Sequence, residues 1–516
     1  MQQSQSKQQV GGILGFIERI GNKIPDITIL FISAFILVCV VSAVLAQIHF
    51  NYVHPATGRP IEITNMLSGK ALVDLMSKMV TNYANFPPLS MVIVATLGIG
   101  IADGSGYINT GLKKILSITP KVLITPVVIL VGMLSHLGPD SGYVIIIPIA
   151  AYMFYAVGKH PLAGIAASFA GIAGAFAANY TPSAIDPVIQ GFTQSAAQII
   201  DPGYQVNVLC NYFYAFASTF IVIGACWWVT EKISNPWLWK ACPLDDDLDL
   251  GNENNSSITP SENRAFKIAS AVLLLMLTGL AAALYPADSI LRAPDGGIAS
   301  FKAPIMQSIV SLIFIFAALV GLVYGIACGK FKSPKDVTAA MEEITKTLVQ
   351  LIVFYFFAAQ FLYAFGASNM GALIAVSGAE FLKSLNLPPQ VTVFGIIVFV
   401  ALLNLIITSA SAKWAILAPI FVPMLMAVGI APELTQVAFR VSDSAVNVVT
   451  PMFAFYPLII LYCQKYVKNA GIGTLSSMML PYTIALLVSL TFMLYLFWWL
   501  DIPLGFQADY VYPRRF

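Results

Sequence analysis

The stretch that decides the fold runs from Ile406 to Pro457. It opens Ile406-Ile407-Thr408-Ser409-Ala410-Ser411-Ala412-Lys413-Trp414 and passes through an apolar segment broken by prolines. It continues Phe439-Arg440-Val441-Ser442-Asp443-Ser444-Ala445-Val446-Asn447-Val448-Val449-Thr450-Pro451. An arginine, an aspartate, an asparagine and several hydroxyls stand here between runs as apolar as lipid. Ionisable groups at membrane depth are expensive, so they face a cavity or a pathway. Small polar residues beside prolines are what an interrupted helix uses to offer free backbone groups to an ion or an anion. The stretch reads as half of a transport site.

The composition fits that reading. Of 516 residues, 58% are hydrophobic and 10% charged, with mean hydropathy +0.80, whereas a soluble domain carries about 25% charged residues. The chain is an all-α polytopic membrane protein, because only helices and closed barrels satisfy their backbone in lipid. Net charge +2 with no long basic stripe argues against a nucleic-acid partner. Cys39, Cys210, Cys226, Cys242, Cys328 and Cys463 have neither disulfide-framework nor metal-ligand spacing, so no metal is expected. No HExxH, GxSxG or Cys–His arrangement and no GxxxxGK(S/T) is present, which argues against a hydrolase and an ATP-driven pump.

A crossing needs about 20 apolar residues. After a cytoplasmic segment, 1–26, the first membrane half spans 27–230. It holds spans at Ile27–Ile48 and Pro87–Asp103, the latter continuing as helix towards Leu112, with an amphipathic stretch Met66–Tyr83 between them. Val122–His136 and Tyr143–Val157 are short apolar arms around Leu137-Gly138-Pro139-Asp140-Ser141-Gly142, a re-entrant hairpin over about 122–157. A Pro-led, Ala/Gly-rich span over about 161–190 breaks at Asn179-Tyr180-Thr181-Pro182-Ser183-Ala184-Ile185-Asp186-Pro187, and Val208–Thr230 crosses next. A cytoplasmic linker, 231–264, carries the acidic run Asp245–Asp249. Connecting spans Ala265–Leu284 and Pro304–Ala327 lie in 265–345. The second half, 346–500, holds a span at Leu348–Phe365, an interfacial helix at Ala372–Leu385 and a second hairpin over about 391–428. Its tip is Ser409–Lys413. A second broken span follows over about 432–462, interrupted around Asp443–Pro451, then a span at Met479–Leu500 and a periplasmic tail, 501–516.

The two halves repeat. Ala156-Val157-Gly158 followed by Pro161 matches Ala427-Val428-Gly429 followed by Pro432, an offset of 271 (427 less 156), which also pairs Pro148 with Pro419. After a small gap, Asn179…Thr181-Pro182 matches Asn447…Thr450-Pro451. An odd number of crossings between the hairpins makes the repeat inverted, an architecture in which substrate and ions meet at mid-membrane. The count is nine crossings plus two hairpins. With the N-terminus cytoplasmic it places 17 Lys and Arg inside and 8 outside, with Lys413 and Arg440 at membrane depth, as the positive-inside rule requires.

Arg440 is always charged and needs an anion. A resident pair with Asp443, three residues on, is one possibility; a substrate carboxylate held bidentately is the favoured one. Asp186 has no Lys or Arg near it in sequence, so desolvation should raise its pKa unless a cation sits beside it. It suits proton or sodium uptake, with a helix cap as the alternative. Hard cations want oxygen ligands: Asn179, Thr181, Asp140 and Ser141 on one side, Asp443, Ser409, Ser411, Asn447 and Thr450 on the other. Sodium ion or proton is the expected coupling ion, without any other cofactor. Trp414, at the hairpin tip, stacks on a planar ligand or packs between helices, and the long stem of Lys413 lets its ammonium reach the surface. Ser411 and Pro432, the leader of the second broken helix, complete the substrate-binding candidates. A passive anion channel with Arg440 as its selectivity charge is the remaining class.

These features resemble the AbgT family of bacterial p-aminobenzoyl-glutamate transporters, and within it the MtrF-type antimetabolite efflux proteins. The likeness covers Glu18-Arg19-Ile20-Gly21-Asn22-Lys23-Ile24-Pro25, Ser135-His136…Asp140, Val157-Gly158-Lys159-His160-Pro161, Ser368-Asn369-Met370-Gly371, Trp414 through Met424, and Phe439-Arg440…Asp443-Ser444. The resemblance implies a homodimer in the bacterial inner membrane, nine transmembrane helices and two re-entrant hairpins per protomer, and roles in transport for Asp186, Trp414, Arg440 and Asp443. It implies p-aminobenzoyl-glutamate, p-aminobenzoate and sulfonamide-type drugs as cargo, either exported or imported for folate salvage.

Overall fold

The computed structural model describes residues 26–54, 58–137, 141–183, 185–245, 258–300 and 302–513. Outside these fall the segment 1–25 with its Glu18–Pro25 motif, the hairpin tip Gly138-Pro139-Asp140, Ala184, and Asp246–Asp249 of the acidic run. Of Ser141 only the backbone is described.

Among the described residues, seven helices are long and apolar enough to cross a membrane. They are Ile27–Leu45, Gly69–Ser105, Tyr212–Ala241, Pro260–Leu284, Ile309–Cys328, Val349–Ala367 and Ile472–Trp499. Their outer faces show Leu37, Phe220, Leu275 and Ile484 to the surroundings, as lipid-facing helices do. The expected continuation of the second span towards Leu112 is interrupted. Gly106 adopts φ 94°, the left-handed conformation that glycine tolerates best, so one helix ends at Ser105 and another begins at Tyr107. The helix expected at the interface is Met370–Ser384, and it bends by 117° into the first arm of hairpin 2.

The repeat is visible in the backbone. The first broken helix starts at Pro161 and the second at Pro432, each with proline in the first turn, where its missing N–H is not needed. Gly158 and Gly429 precede them with φ 78° and 89°. Pro148 lies inside the second arm of hairpin 1 (Ser141–Ala156), and Pro419 inside that of hairpin 2 (Ala410–Met426). The helices beyond the breaks run Ile185–Ala197 and Tyr456–Gln464.

The breaks differ in position from expectation. The first helix loosens into a π-turn at Ala170–Gly174 and is unwound before Asn179, so Asp186 stands in the first turn of the helix that follows. The second helix holds through Val446, so Asp443 lies in its last turn and the unwinding starts at Asn447. In hairpin 2 the first arm ends at Asn404 and the second begins at Ala410, so Lys413 and Trp414 are helical rather than at the tip.

Close packing explains the Ala/Gly-rich first half. A Cβ on Gly164 would meet Ala150 O at 2.5 Å, and one on Gly171 would meet Ile129 O at 2.5 Å. Only hydrogen lets the broken helix lie this near both arms of hairpin 1.

Candidate transport site

The helix Pro432–Val446 is buried along its whole length. Glu433, Gln436, Arg440, Asp443 and Asn447 recur on it every three or four residues, which puts them on one face. That polar stripe meets the second half of the first broken helix, which carries Asp186, Gln190 and Thr193 at the same spacing.

The ion pairs run between elements, not along the helix. Arg440 Nη1 lies 2.7 Å from Asp186 Oδ1. The other oxygen of Asp186 accepts from Ser183 N at 2.7 Å and from Ser183 Oγ at 3.0 Å. Asp186 therefore has a cation beside it that its local sequence did not reveal, and it also caps its own helix start. Asp443 is claimed by Lys413, whose Nζ lies 2.6 Å from Asp443 Oδ1. The resident Arg440–Asp443 pair is thus overturned in favour of two crossed pairs. Lys413 does not reach the surface: it is 1% exposed, and its ammonium also donates to Asn404 Oδ1. Asn404 Nδ2 donates in turn to Asp443 O at 2.8 Å and Asn447 Oδ1 at 3.0 Å, while Asn447 Nδ2 reaches Asp443 Oδ2 at 3.3 Å. The tether from the hairpin supplies what a lysine that deep requires, a counter-charge and oxygen partners.

Trp414 is fully buried and stacks on Phe439, ring centroids 4.4 Å apart. Its indole N–H donates to Thr193 Oγ1 at 2.9 Å, and Thr193 donates to Gln436 Oε1 at 2.6 Å. Gln436 Nε2 continues to Asn211 Oδ1 at 2.7 Å. Of the two readings of Trp414, packing between helices is the one this conformation adopts. Nearby, the Tyr204 hydroxyl donates to Glu433 Oε2 at 2.9 Å.

Two cavities adjoin these groups. A cavity of about 490 Å³ lies between the hairpins and the breaks. Ser135, His136 and Tyr143 come from hairpin 1, Ser183 from the first break, Thr408 to Ser411 from the tip of hairpin 2, and Asn447, Phe453 and Phe455 from the second break. His136 Nε2 donates to Ile172 O at 2.6 Å, which fixes that ring at the wall. None of the four paired charges lines this space. A second cavity of about 10 Å³, lined by Asn179, Thr181, Asp186, Asn211, Tyr212 and Arg440, has room for one water-sized occupant at most. Ser183 joins the two spaces, lining the large one while bonding Asp186.

Among the remaining candidates, Ser409 caps the second arm of hairpin 2 through Ala412 N at 3.4 Å, and Ser411 lines the large cavity. Thr450 Oγ1 donates to Leu405 O at 2.9 Å, which ties the second break to the hairpin. Pro432 is buried at the far end of the helix. The structure adds Asn404, Thr193, Gln436 and Ser183 to the site. Gln436 and Thr193 could have been found from the polar spacing of their helices, whereas Asn404 and Ser183 become visible only through their partners.

The comparisons with known proteins agree with this architecture. The model of the AbgT putative transporter family matches residues 12–512. The chain belongs to the AbgT transporter family. The p-aminobenzoyl-glutamate transport protein of Escherichia coli (strain K12) is 33% identical over 511 residues, 99% of this chain and 98% of that one. The Alcanivorax borkumensis YdaH transporter superposes with TM-score 0.87 at 36% identity, covering 93% of this chain and 100% of that one. Neisseria gonorrhoeae MtrF, described among antimetabolite efflux pumps, gives TM-score 0.90 at 39% identity over 96% of this chain and 100% of that one. This AbgT chain is therefore a multi-pass membrane transporter with a small-molecule substrate, and its relatives are named as transport proteins.

Proposed function

We propose that this chain is a cation-coupled secondary transporter of small aromatic carboxylates and antimetabolites, including p-aminobenzoate, p-aminobenzoyl-glutamate and sulfonamide-type drugs, acting chiefly in export. One observation carries the reading. A cavity of about 490 Å³, within the usual size of a small-ligand site, is walled by both hairpins and both breaks, with one serine between it and the Asp186–Arg440 pair. Tyr143, Phe453 and Phe455 suit an aromatic ring, and Ser135, Ser409 and Ser411 suit its polar substituents.

Coupling follows from charge balance. Asp186 and Asp443 are neutralised by Arg440 and Lys413, so the empty site needs no bound ion. A substrate carboxylate that takes Arg440 leaves Asp186 unpaired and buried, a costly state. A proton or sodium ion relieves it, with Asn179 and Thr181 as neighbouring oxygens. Bound together in this way, cation and substrate move in one direction, which under an inward cation gradient gives import; export requires the two to occupy the pair in turn, the cation entering on Asp186 as the substrate leaves Arg440. Nine crossings with two re-entrant hairpins in inverted orientation, the N-terminus cytoplasmic and the C-terminus periplasmic in the bacterial inner membrane, and a homodimer belong to this proposal.

The similarity to MtrF supports export. The name of the Escherichia coli relative supports a second reading, import of p-aminobenzoyl-glutamate for folate salvage. Reconstitution in liposomes of known orientation, with sodium and pH gradients imposed separately, tests both. Accumulation driven by one gradient is expected, and flux indifferent to both gradients removes the coupling.

A further inference from the structure

Away from the breaks, a groove of about 640 Å³ opens where the entry to hairpin 1 meets the helix Tyr212–Val229 and the π-turn Thr230–Ser234. Its walls divide by chemistry. Lys121, Lys159, Glu231 and Lys232 are its charged lining, and Val122, Val157, Gly224 and the rings of Trp227 and Trp228 its apolar lining. Lys159 is held by Glu231, Nζ to Oε1 2.5 Å, and by Thr125 Oγ1 at 3.1 Å. Lys121 and Lys232 are exposed and form no ion pair among the described residues. Three lysines against one glutamate leave two positive charges uncompensated at the groove mouth.

The apolar part has its own geometry. Gly224 lies eight residues before Lys232 on the same continuous helical run, about 12 Å along the axis. A Cβ on Gly224 would meet nothing within 4 Å, so the wall there is open. Trp228 is 59% exposed, one turn from Lys232. Exposed indoles next to lysines at the end of an apolar helix mark the depth of lipid headgroups.

We propose that this groove binds an anionic phospholipid, its phosphate between Lys121 and Lys232 and one acyl chain along Val122, Val157 and Gly224. A soluble anion would match the lysines but would have no use for an apolar channel leading away from them. A zwitterionic lipid would match the channel but would leave the two positive charges without a net counter-charge. Basic pockets between membrane helices recognise anionic headgroups in this way, each lysine contributing about a fivefold gain in affinity.

The test is native mass spectrometry of the full-length protein, delipidated and titrated with phosphatidylglycerol or phosphatidylcholine, with and without excess inorganic phosphate. Selective retention of phosphatidylglycerol is expected. Lys121→Gln with Lys232→Gln should weaken it about 25-fold. Gly224→Leu, which fills the channel without touching the charges, should weaken it as well. Both substitutions face open space, so the fold is kept, and a thermal melt checks it. Equal retention of the two lipids, unchanged binding in either variant, or displacement of the lipid by inorganic phosphate alone would each overturn the proposal.

Discussion

Asp186 and Asp443 both stand beside a helix break, and each has one cation brought to it by another element. Their surroundings nevertheless differ. Asp186 and Arg440 line a small polar cavity, and a single serine separates the carboxylate from the large cavity. Asp443 and Lys413 are 0% and 1% exposed by side chain and line neither cavity; Asn404 and Asn447 wrap them, and Asn447 alone of these lines the large cavity. Two pairs of like charge composition can therefore do different work. The proposed exchange of partners falls to the pair that borders a cavity, with Ser183 between it and the large one. The Lys413–Asp443 pair borders no cavity itself and links the second arm of hairpin 2 to the second broken helix, the geometry of a clasp. Each broken helix supplies one carboxylate, Asp186 after its break and Asp443 before, and their surroundings rather than their residue type differ.

The largest effect should come from the exchanging pair. Asp186→Ala or Arg440→Ala should lower gradient-driven flux about a hundredfold or more, since each leaves one charge buried alone. The neutral double replacement Asp186→Asn with Arg440→Met should restore thermal stability without restoring flux, measured on the same liposome preparation. If flux returned with stability, the first pair would be a clasp as well, and the contrast would vanish.

The sealed pair should give the opposite pattern. Lys413→Ala or Asp443→Ala alone should cost about 3–5 kcal/mol of stability, the usual penalty for orphaning a buried charge. Flux would fall with it. Lys413→Met with Asp443→Asn should recover most of that stability and a substantial part of the flux. A double-mutant cycle of melting in detergent with parallel flux measurements reads both. A double variant that is stable yet inactive would move Asp443 into the transport step.

Two smaller changes sharpen the comparison. Trp414→Phe keeps a ring against Phe439 but removes the donor to Thr193 and leaves a gap where the larger indole stood, so a loss of about 2–3 kcal/mol in stability is expected with little change in apparent affinity. Ser183→Ala removes one of two donors from Asp186 on the side of the large cavity, and about a fivefold shift in KM with unchanged melting is expected. A shift in melting instead would mean that Ser183 is a helix cap and no more.

Much of the architecture could be read from residues alone. Apolar runs define the spans, because lipid admits few other structures. Pro161 and Pro432, Pro148 and Pro419, and Gly158 and Gly429 sit where the repeat requires them, because a missing N–H or a left-handed φ is a property of the single residue and its position. The polar spacing from Glu433 to Asn447 was legible for the same reason, since helical periodicity is local. The partners of the charges were not. Arg440 and Asp443 are neighbours in sequence, yet Arg440 turns to Asp186 and Asp443 to Lys413, and Asn404 enters only when hairpin 2 folds back. The sequence by itself determined which residues carry charge into the membrane and how the helices are interrupted. Only the tertiary structure decided which charges meet and which of those pairs borders a cavity, because Coulomb pairing and burial depend on distances of a few ångströms between elements far apart along the chain.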